Sequence, residues 1–508
     1  MPMSLQSPAT THCLAMRVDR RGLTDDRAPM KFRWDQPIPA EWTASKPPPV
    51  WTYLLLFVVV ECVAVGLTVA TWPQGKSVVS ADFARYVLLV PLAVWLAFCI
   101  ALHRALYGGF AFEAAVKNSA RRNLLNRWHQ LSRRGVAVLD SVILTPEADL
   151  GERMLSLEGK PPENPGKVMA LGGLDSANGL SRVHAMLEQL LIPLTGKLTR
   201  ATRSGSFEIV IQCERAESSV DVRTVWECLD LPGRPRIRWM NNDAAPAFAD
   251  AWFEDDSYAP YASASLVIDR TPRYRLLLAW HLNDDGPDGS PQASESAVAL
   301  LFGSAALLDD KPGIKQQAWL LRQRISDAVE VDESLALLLR AQQVPHDRIR
   351  HFWHSRLKGL SQHATVGAVR DTGLKVEEHA LDPAIGPQAP VARWIVQALA
   401  AKMAHFGQGA QLVALAHGSG VALNLVAKQP STLDVPWKAE YGYSLFPGAE
   451  LATCFLLWVA MLLLCVDEQW GTAQTVATSV CIFLAILFAG ARFMSCRFYA
   501  GEIWRKYG

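Results

Sequence analysis

The chain of 508 residues is poor in the strings from which site chemistry is usually read. Its formal net charge is only +1, so no strong field draws a polyanion and nucleic acid is not expected as a partner. Cysteine is scarce where a reaction would need it. Of nine cysteines, Cys62, Cys99, Cys454, Cys465 and Cys481 fall in or beside long apolar runs, and Cys13 and Cys496 lie near the ends. Only Cys213 and Cys228 remain for the middle of the chain, too few for a disulfide framework, and no CxxC pair suggests zinc or redox chemistry. A reducing compartment follows for that middle part. HExxH, GxGxxG and the Walker lysine pattern are all missing, so neither a metal nor another cofactor is expected. Residues 1–29 have no apolar segment after their charges and are not a signal peptide. They read as a disordered extension, or as a start placed too early if translation begins at Met30.

What the chain does have is two pairs of apolar runs. Trp51–Trp72 and about Tyr86–Leu102 form the first, Leu451–Val466 and Ala473–Ala489 the second. Each run is close to the ~20 residues a helix needs to cross ~30 Å of hydrocarbon. Basic residues flank them unevenly. Arg104, Lys117, Arg121, Arg122, Arg127, Arg133 and Arg134 follow the second run, and Arg492, Arg497, Arg505 and Lys506 follow the fourth. The turn Asp467–Thr472 has no basic residue, and the turn near Pro73–Arg85 has Lys76 and Arg85. By the bias of Lys and Arg toward the cytoplasm, both termini and the central part are cytoplasmic, as in a multi-pass protein of a bacterial inner membrane. Glu61 lies inside the first run, where an ionisable side chain is a functional candidate by default. It has no second intramembrane charge to relay with, and the runs read as anchors.

This divides the chain into a flexible segment (1–48), a transmembrane hairpin (49–106), a basic juxtamembrane segment (107–135), a cytoplasmic α/β domain (136–436), a second hairpin (437–496) and a tail (497–508). The juxtamembrane segment looks suited to anionic headgroups, so membrane lipids are expected partners. Within the domain, Val136–Leu139, Val142–Leu144, Val168–Leu171, Phe207–Gln212 and Arg236–Met240 are read as strands, with helices over Gly179–Leu198 and Val220–Leu229. A helix at Ala244–Trp252 and strands at Ser263–Ile268, Tyr274–Trp280 and Ser296–Phe302 follow. The second half has helices at Val331–Arg340, Pro345–Leu357 and Ala389–Phe406, then strands Gln411–Leu415 and Val421–Val426 joined at His417-Gly-Ser-Gly420.

Candidate chemistry is thin. Ser419 sits in a tight Gly turn, but a nucleophile elbow wants Gly two residues on either side, and His417 and Val421 stand there. A β-turn that uses Gly418 and Gly420 for their permissive backbone angles is the plainer account. His346, His351, His354 and His363 gather near Asp347. On a helix, His351 and His354 would share a face able to bind metal, whereas a solvated basic helix with Arg348, Arg350 and Arg356 explains the same residues. Gly172-Gly173 before Leu174-Asp175 is a weak phosphate-cradle signal, and Glu254-Asp-Asp256 reads as a loop.

Two stretches carry a resemblance. Glu295-Ser-Ala-Val-Ala-Leu-Leu-Phe302 resembles the strand after an acidic residue near the end of the first half of condensing enzymes. Phe406 to Val426 is similar to the closing hairpin of the thiolase-like fold. The resemblance covers roughly residues 136–428 and implies a duplicated α/β domain flanked by the two helical hairpins. It also implies a nucleophilic Cys at a helix N-terminus, where the dipole favours thiolate. Cys213 ends a strand and Cys228 lies late in a helix, so the implied reading is a copy of the fold without its chemistry. Ala416-His-Gly-Ser-Gly420 resembles a ketosynthase histidine loop, placed where the last hairpin turns. A membrane-anchored domain of this kind also resembles accessory proteins of type VI secretion effectors. Three functions are thus expected in order: a non-catalytic protein-binding domain, with an effector or secretion component as partner; a membrane-surface enzyme acting on acyl chains or lipids, with His417 as base and Ser419 or a Cys as nucleophile; and an immunity protein against a membrane-attacking toxin.

Overall fold

The computed structural model describes residues 32–174, 181–203, 207–241, 272–283, 291–466 and 470–507. The helix expected at Ala244–Trp252, the strand at Ser263–Ile268 and the acidic Glu254–Asp256 lie outside these residues. By length and composition, three helices are apolar enough to cross a membrane: Val50–Thr71, Ala81–Ser132 and Gln474–Tyr507. The first is α1. The second, α2, runs unbroken for 52 residues, with π-helical turns at Arg85–Leu89 and Arg104–Gly108. Pro91 has no N–H to give the preceding turn, and the first π turn lies just ahead of it, where the ladder is released. The third expected run is a shorter apolar helix of 17 residues, Gly448–Leu464. It is the last but one helix of the chain, and Thr472–Tyr507 is the last.

Helix α2 is too long to be an anchor alone. At 1.5 Å per residue it spans about 78 Å, far more than the ~30 Å of hydrocarbon. Its far end is buried at Leu124, Leu125 and Trp128, and Ile503 of the last helix packs against Ala120 and Leu124. Three of the basic residues of the juxtamembrane segment have protein partners. Lys117 pairs with Glu113 at 2.8 Å and Glu502 at 3.0 Å. Arg121 donates to the Pro39 carbonyl at 2.6 Å and Arg122 to that of Val435 at 2.8 Å. Residues 32–48, read as flexible, are likewise tied down. The Trp42 backbone exchanges two hydrogen bonds with the Asn118 amide, at 2.9 and 2.8 Å, and Glu41 accepts from Lys438 and Tyr441, each at 2.7 Å. Apart from Lys117 and Glu113, four residues apart on one helix, sequence could not reveal these pairings, because the partners lie tens to hundreds of residues away.

After α2 come β1 (Gly135–Leu144), α3 (Leu150–Met154), α4 (Arg182–Leu191), α5 (Thr195–Arg203), β2 (Phe207–Gln212), α6 (Ser219–Cys228), β3 (Arg236–Trp239), β4 (Tyr274–His281), β5 (Ser296–Gly303) and α7 (Ala305–Asp310). The second half has β6 (Ala318–Leu321), β7 (Arg324–Ser326), α8 (Val331–Arg340), β8 (Ile349–Ser355), α9 (Gly359–Asp371), β9 (Glu377–Ala380), α10 (Leu381–Ile385), α11 (Ala392–His405), β10 (Ala410–His417) and β11 (Gly420–Ala427). The strands form one mixed sheet in the order β3-β2-β4-β5-β1-β6-β11-β10-β8-β9, with β7 on β11. The order repeats about its centre. In the first half β3, β2 and β4 are parallel, β5 runs against them, and β1 pairs antiparallel to β5. In the second half β9, β8 and β10 are parallel, β11 runs against them, and β6 pairs antiparallel to β11. The halves join through the antiparallel β1–β6 pair.

Alternation along the strands builds the layers. On one face, Val136, Leu277, Leu300, Trp353 and Val413 share a core with α3, α10 and α11 that spans both halves. On the other face, the first half packs against α4 to α7 and the second against α8 and α9. Pro345–Leu357 is not a helix: its centre is β8. Six of that strand's seven residues are buried, so the run shows no alternation from which a strand could be read. The expected helix over Gly179–Leu198 is split at Ile192–Leu194 by Pro193, and Val168–Leu171 forms no strand.

Candidate functional site

In open sheets with parallel strands, ligands gather at the carboxyl ends of those strands. The end of β8 is occupied by the protein itself. Ser355 donates its hydroxyl to Asp382 at 3.0 Å, and the Arg356 N–H donates to the same oxygen at 2.8 Å. Asp382 lies in the first turn of α10, and Arg356 is held at φ 59°, a left-handed angle uncommon outside glycine. His417 and Ser419 stand at the tip of the neighbouring hairpin, where His417 pairs with Gly420 across a two-residue turn. Gly418 has φ 55°, the requirement for the first central residue of such a turn. Gly420 is needed for another reason: a Cβ there would meet the Ser326 carbonyl oxygen at 2.1 Å. The Ser419 carbonyl accepts from Ser361 at 3.2 Å, and among the described residues no hydrogen bond joins the His417 and Ser419 side chains.

Neither central cysteine opens a helix. Cys213 follows β2, donates to the Arg215 carbonyl at 3.0 Å, and is buried, which pushes its thiol above the ordinary value. Cys228 is exposed at the last residue of α6. Glu61 is half-buried on α1, with no ion pair or hydrogen bond among the described residues. Nearer the sheet domain, Glu450 bridges Arg104 at 2.6 Å and Arg492 at 3.3 Å. These arginines border a mostly apolar cavity of about 800 Å³ with Tyr53 and Trp95.

The histidine cluster separates on the sheet. His351 and His354, three apart on a strand, face opposite sides rather than sharing one. His354 Nε2 meets Glu378 at 3.0 Å on one side. On the other, His351 Nδ1 lies 3.0 Å from His379 Nε2 and 3.6 Å from Glu377. His379 is 5 % exposed, and its ring lies 4.7 Å from that of Trp353. Burial, helped by the two nearby histidines, pulls its pKa down to about 4, against a hydrogen bond from the ring to the Met154 carbonyl. Burial lowers His351 as well. Glu377 and His379 carry no motif in the sequence; the only signal was their alternation, two apart, just ahead of the short helix α10.

Glu295, named for its place before an apolar strand, is 1 % exposed. Its carboxylate accepts from the Leu171 N–H at 2.8 Å, the Asn283 N–H at 2.9 Å and Arg182 at 2.8 Å, so it joins three segments rather than facing a cavity.

No protein-family model matches the chain, and no curated protein is detectably similar to it. Among solved structures it is similar to the oxazolomycin ketosynthase domain OzmH KS8 of Streptomyces albus JA3453, with 11% identity and a TM-score of 0.41 over 61% of this chain and 100% of that one. A β-ketoacyl synthase from Burkholderia phymatum STM815 gives 10% identity and 0.40 over 58% of this chain and 99% of that one. An OleA variant from Xanthomonas campestris gives 11% and 0.31 over 58% and 98%. Likeness of this size leaves the chemistry of the chain to be read from its own side chains.

Proposed function

We propose that the chain is a multi-pass protein of a bacterial inner membrane whose cytoplasmic sheet domain, a duplicated thiolase-like scaffold, binds another protein and catalyses no condensation. Two halves with one strand order, each closing on an apolar hairpin, support the scaffold. The bias of basic residues supports the orientation. The observation that carries the non-catalytic reading is that neither described cysteine of the sheet domain opens a helix: Cys213 is buried after β2 with a raised pKa, and Cys228 is the last residue of α6. The Ser355–Asp382 link fills a strand end where substrate would otherwise sit. A long helix running from the membrane into the sheet suits a domain that presents a fixed surface to a partner, an effector or secretion component being the expected kind.

The test has two arms on the full chain in a mild detergent. Affinity purification with residue-specific photo-crosslinking recovers one protein at a reproducible site on the domain, and acyl-thioester substrates are not consumed above a detergent blank. His417→Ala and Ser419→Ala change neither result and shift unfolding by no more than about 0.5 kcal/mol, as surface substitutions do. Thioester turnover that disappears in His417→Ala would overturn the proposal, as would the absence of any specific crosslink.

A further inference from the structure

We infer that His351, Glu377 and His379 form a binding site for one divalent transition-metal ion of the zinc type, at the edge of the sheet between β8 and β9. Register creates it. The strands are parallel, with His351 opposite Glu377 and Trp353 opposite His379. Glu377 and His379 are two apart, so both project to the face that carries His351. The three donor atoms lie within 4.8 Å of one another. A tetrahedral ion with bonds of about 2.0–2.1 Å spaces its donors by roughly 3.3 Å. The distances from His351 Nδ1, 3.0 Å to His379 and 3.6 Å to Glu377, bracket that value.

Lone pairs explain why an ion suits the place better than a proton. The Met154 carbonyl favours a proton on the ring of His379, and His379 Nε2 faces His351 Nδ1 at 3.0 Å. Glu377 offers carboxylate oxygen. A proton on His351 Nδ1 can turn to one of these and not to both, whereas an ion takes all three lone pairs at once. Two further features fit a metal centre. The Met154 carbonyl faces the ring of His379, as outer partners of metal-bound imidazoles do. The Glu377 side chain is 59% exposed and, with His351, borders an open cleft of about 950 Å³, so a fourth position faces water. Arg348, Arg350 and Lys375 line the same cleft and favour an anionic group on that position. The cleft opens at the amino ends of the parallel strands, away from Ser355, Asp382 and the hairpin tip, so the site is separate from the one described above.

The full chain, carrying a tag without histidine, is stripped with chelator and titrated with Zn²⁺ by calorimetry and with Co²⁺ by visible absorption. One equivalent binds, and Co²⁺ gives the intense bands of a four-coordinate ion. Glu377→Gln weakens Zn²⁺ binding by about tenfold or more, with an unchanged circular-dichroism spectrum because the side chain is largely in solvent. His351→Ala abolishes the binding. Glu378→Gln, on the opposite face with His354, leaves the affinity as it was. Failure of the stripped protein to bind either ion in a one-to-one, saturable manner would overturn the inference. So would Zn²⁺ affinity unchanged in both Glu377→Gln and His351→Ala.

Discussion

Replacing Glu295 by alanine is expected to cost about 3–5 kcal/mol of stability, the scale for breaking a buried ion pair from one side. The carboxylate is almost wholly out of water and holds three donors from three places: Leu171 in the chain before α4, Arg182 at the start of α4, and Asn283 just after β4. Alanine leaves the Leu171 and Asn283 N–H groups and one guanidinium N–H without this acceptor, and each such loss carries its own desolvation penalty. Glu295→Gln is milder, because the amide oxygen still accepts from one donor while its NH₂ opposes another. A thermal unfolding midpoint lower by on the order of 10 °C in detergent, read by tryptophan fluorescence, is the expected result for alanine. Arg182→Ala should add little to it, since the two changes remove one interaction. A midpoint unchanged in Glu295→Ala would show that water replaces the carboxylate and that the network is not structural.

The residue illustrates what was legible in the chain and what was not. Its place before an apolar strand marked it, but its partners are 12, 113 and 124 residues away, and only the fold joins them. Apolar runs long enough for a membrane stood out because their signal is local composition. Helices with one apolar stripe, such as α4, α8 and α11, were found for the same reason, and so were the hairpin strands β10 and β11. The strand β8 was lost because both of its faces are covered, which erases the alternation that marks a strand. With β8 read as a helix, His351 and His354 were set side by side, when the pleat in fact separates them. That single error of period hid the pairing of His351 with Glu377 and His379, which depends on a register between strands 28 residues apart. The Gly418–Gly420 turn was read correctly as a turn, yet the need for Gly420 comes from the backbone of β7, a strand that sequence gave no means to predict.

Acid should weaken the sheet domain between pH 6.5 and about 4, by about 3 kcal/mol through His379 alone. In the folded protein the ring resists protonation until about pH 4, because charging it means placing a cation beside Trp353 and close to His351 and His354 with little water, which outweighs the favourable Met154 carbonyl. In the unfolded chain it takes a proton near the ordinary value of 6.5. The unfolded state therefore binds protons first as pH falls. The contribution is complete above pH 6.5, declines below it, and stops changing near pH 4, where both states are charged. His351 and His129, also lowered chiefly by burial, act in the same direction. Glu377, beside His351, works against its part by favouring the charged ring. Urea or thermal unfolding of the full chain, followed at pH 7.5, 6, 5 and 4, measures the slope. Asparagine at 379 keeps a polar side chain of similar reach without the titration, so its profile should be flatter over the same interval, at lower overall stability. A slope identical in wild type and His379→Asn would place the acid sensitivity elsewhere. Because the effect needs only a buried neutral imidazole, it holds in chelator whether or not an ion binds; saturating Zn²⁺ would raise stability at pH 7.5 and fade as protons compete for the same nitrogens.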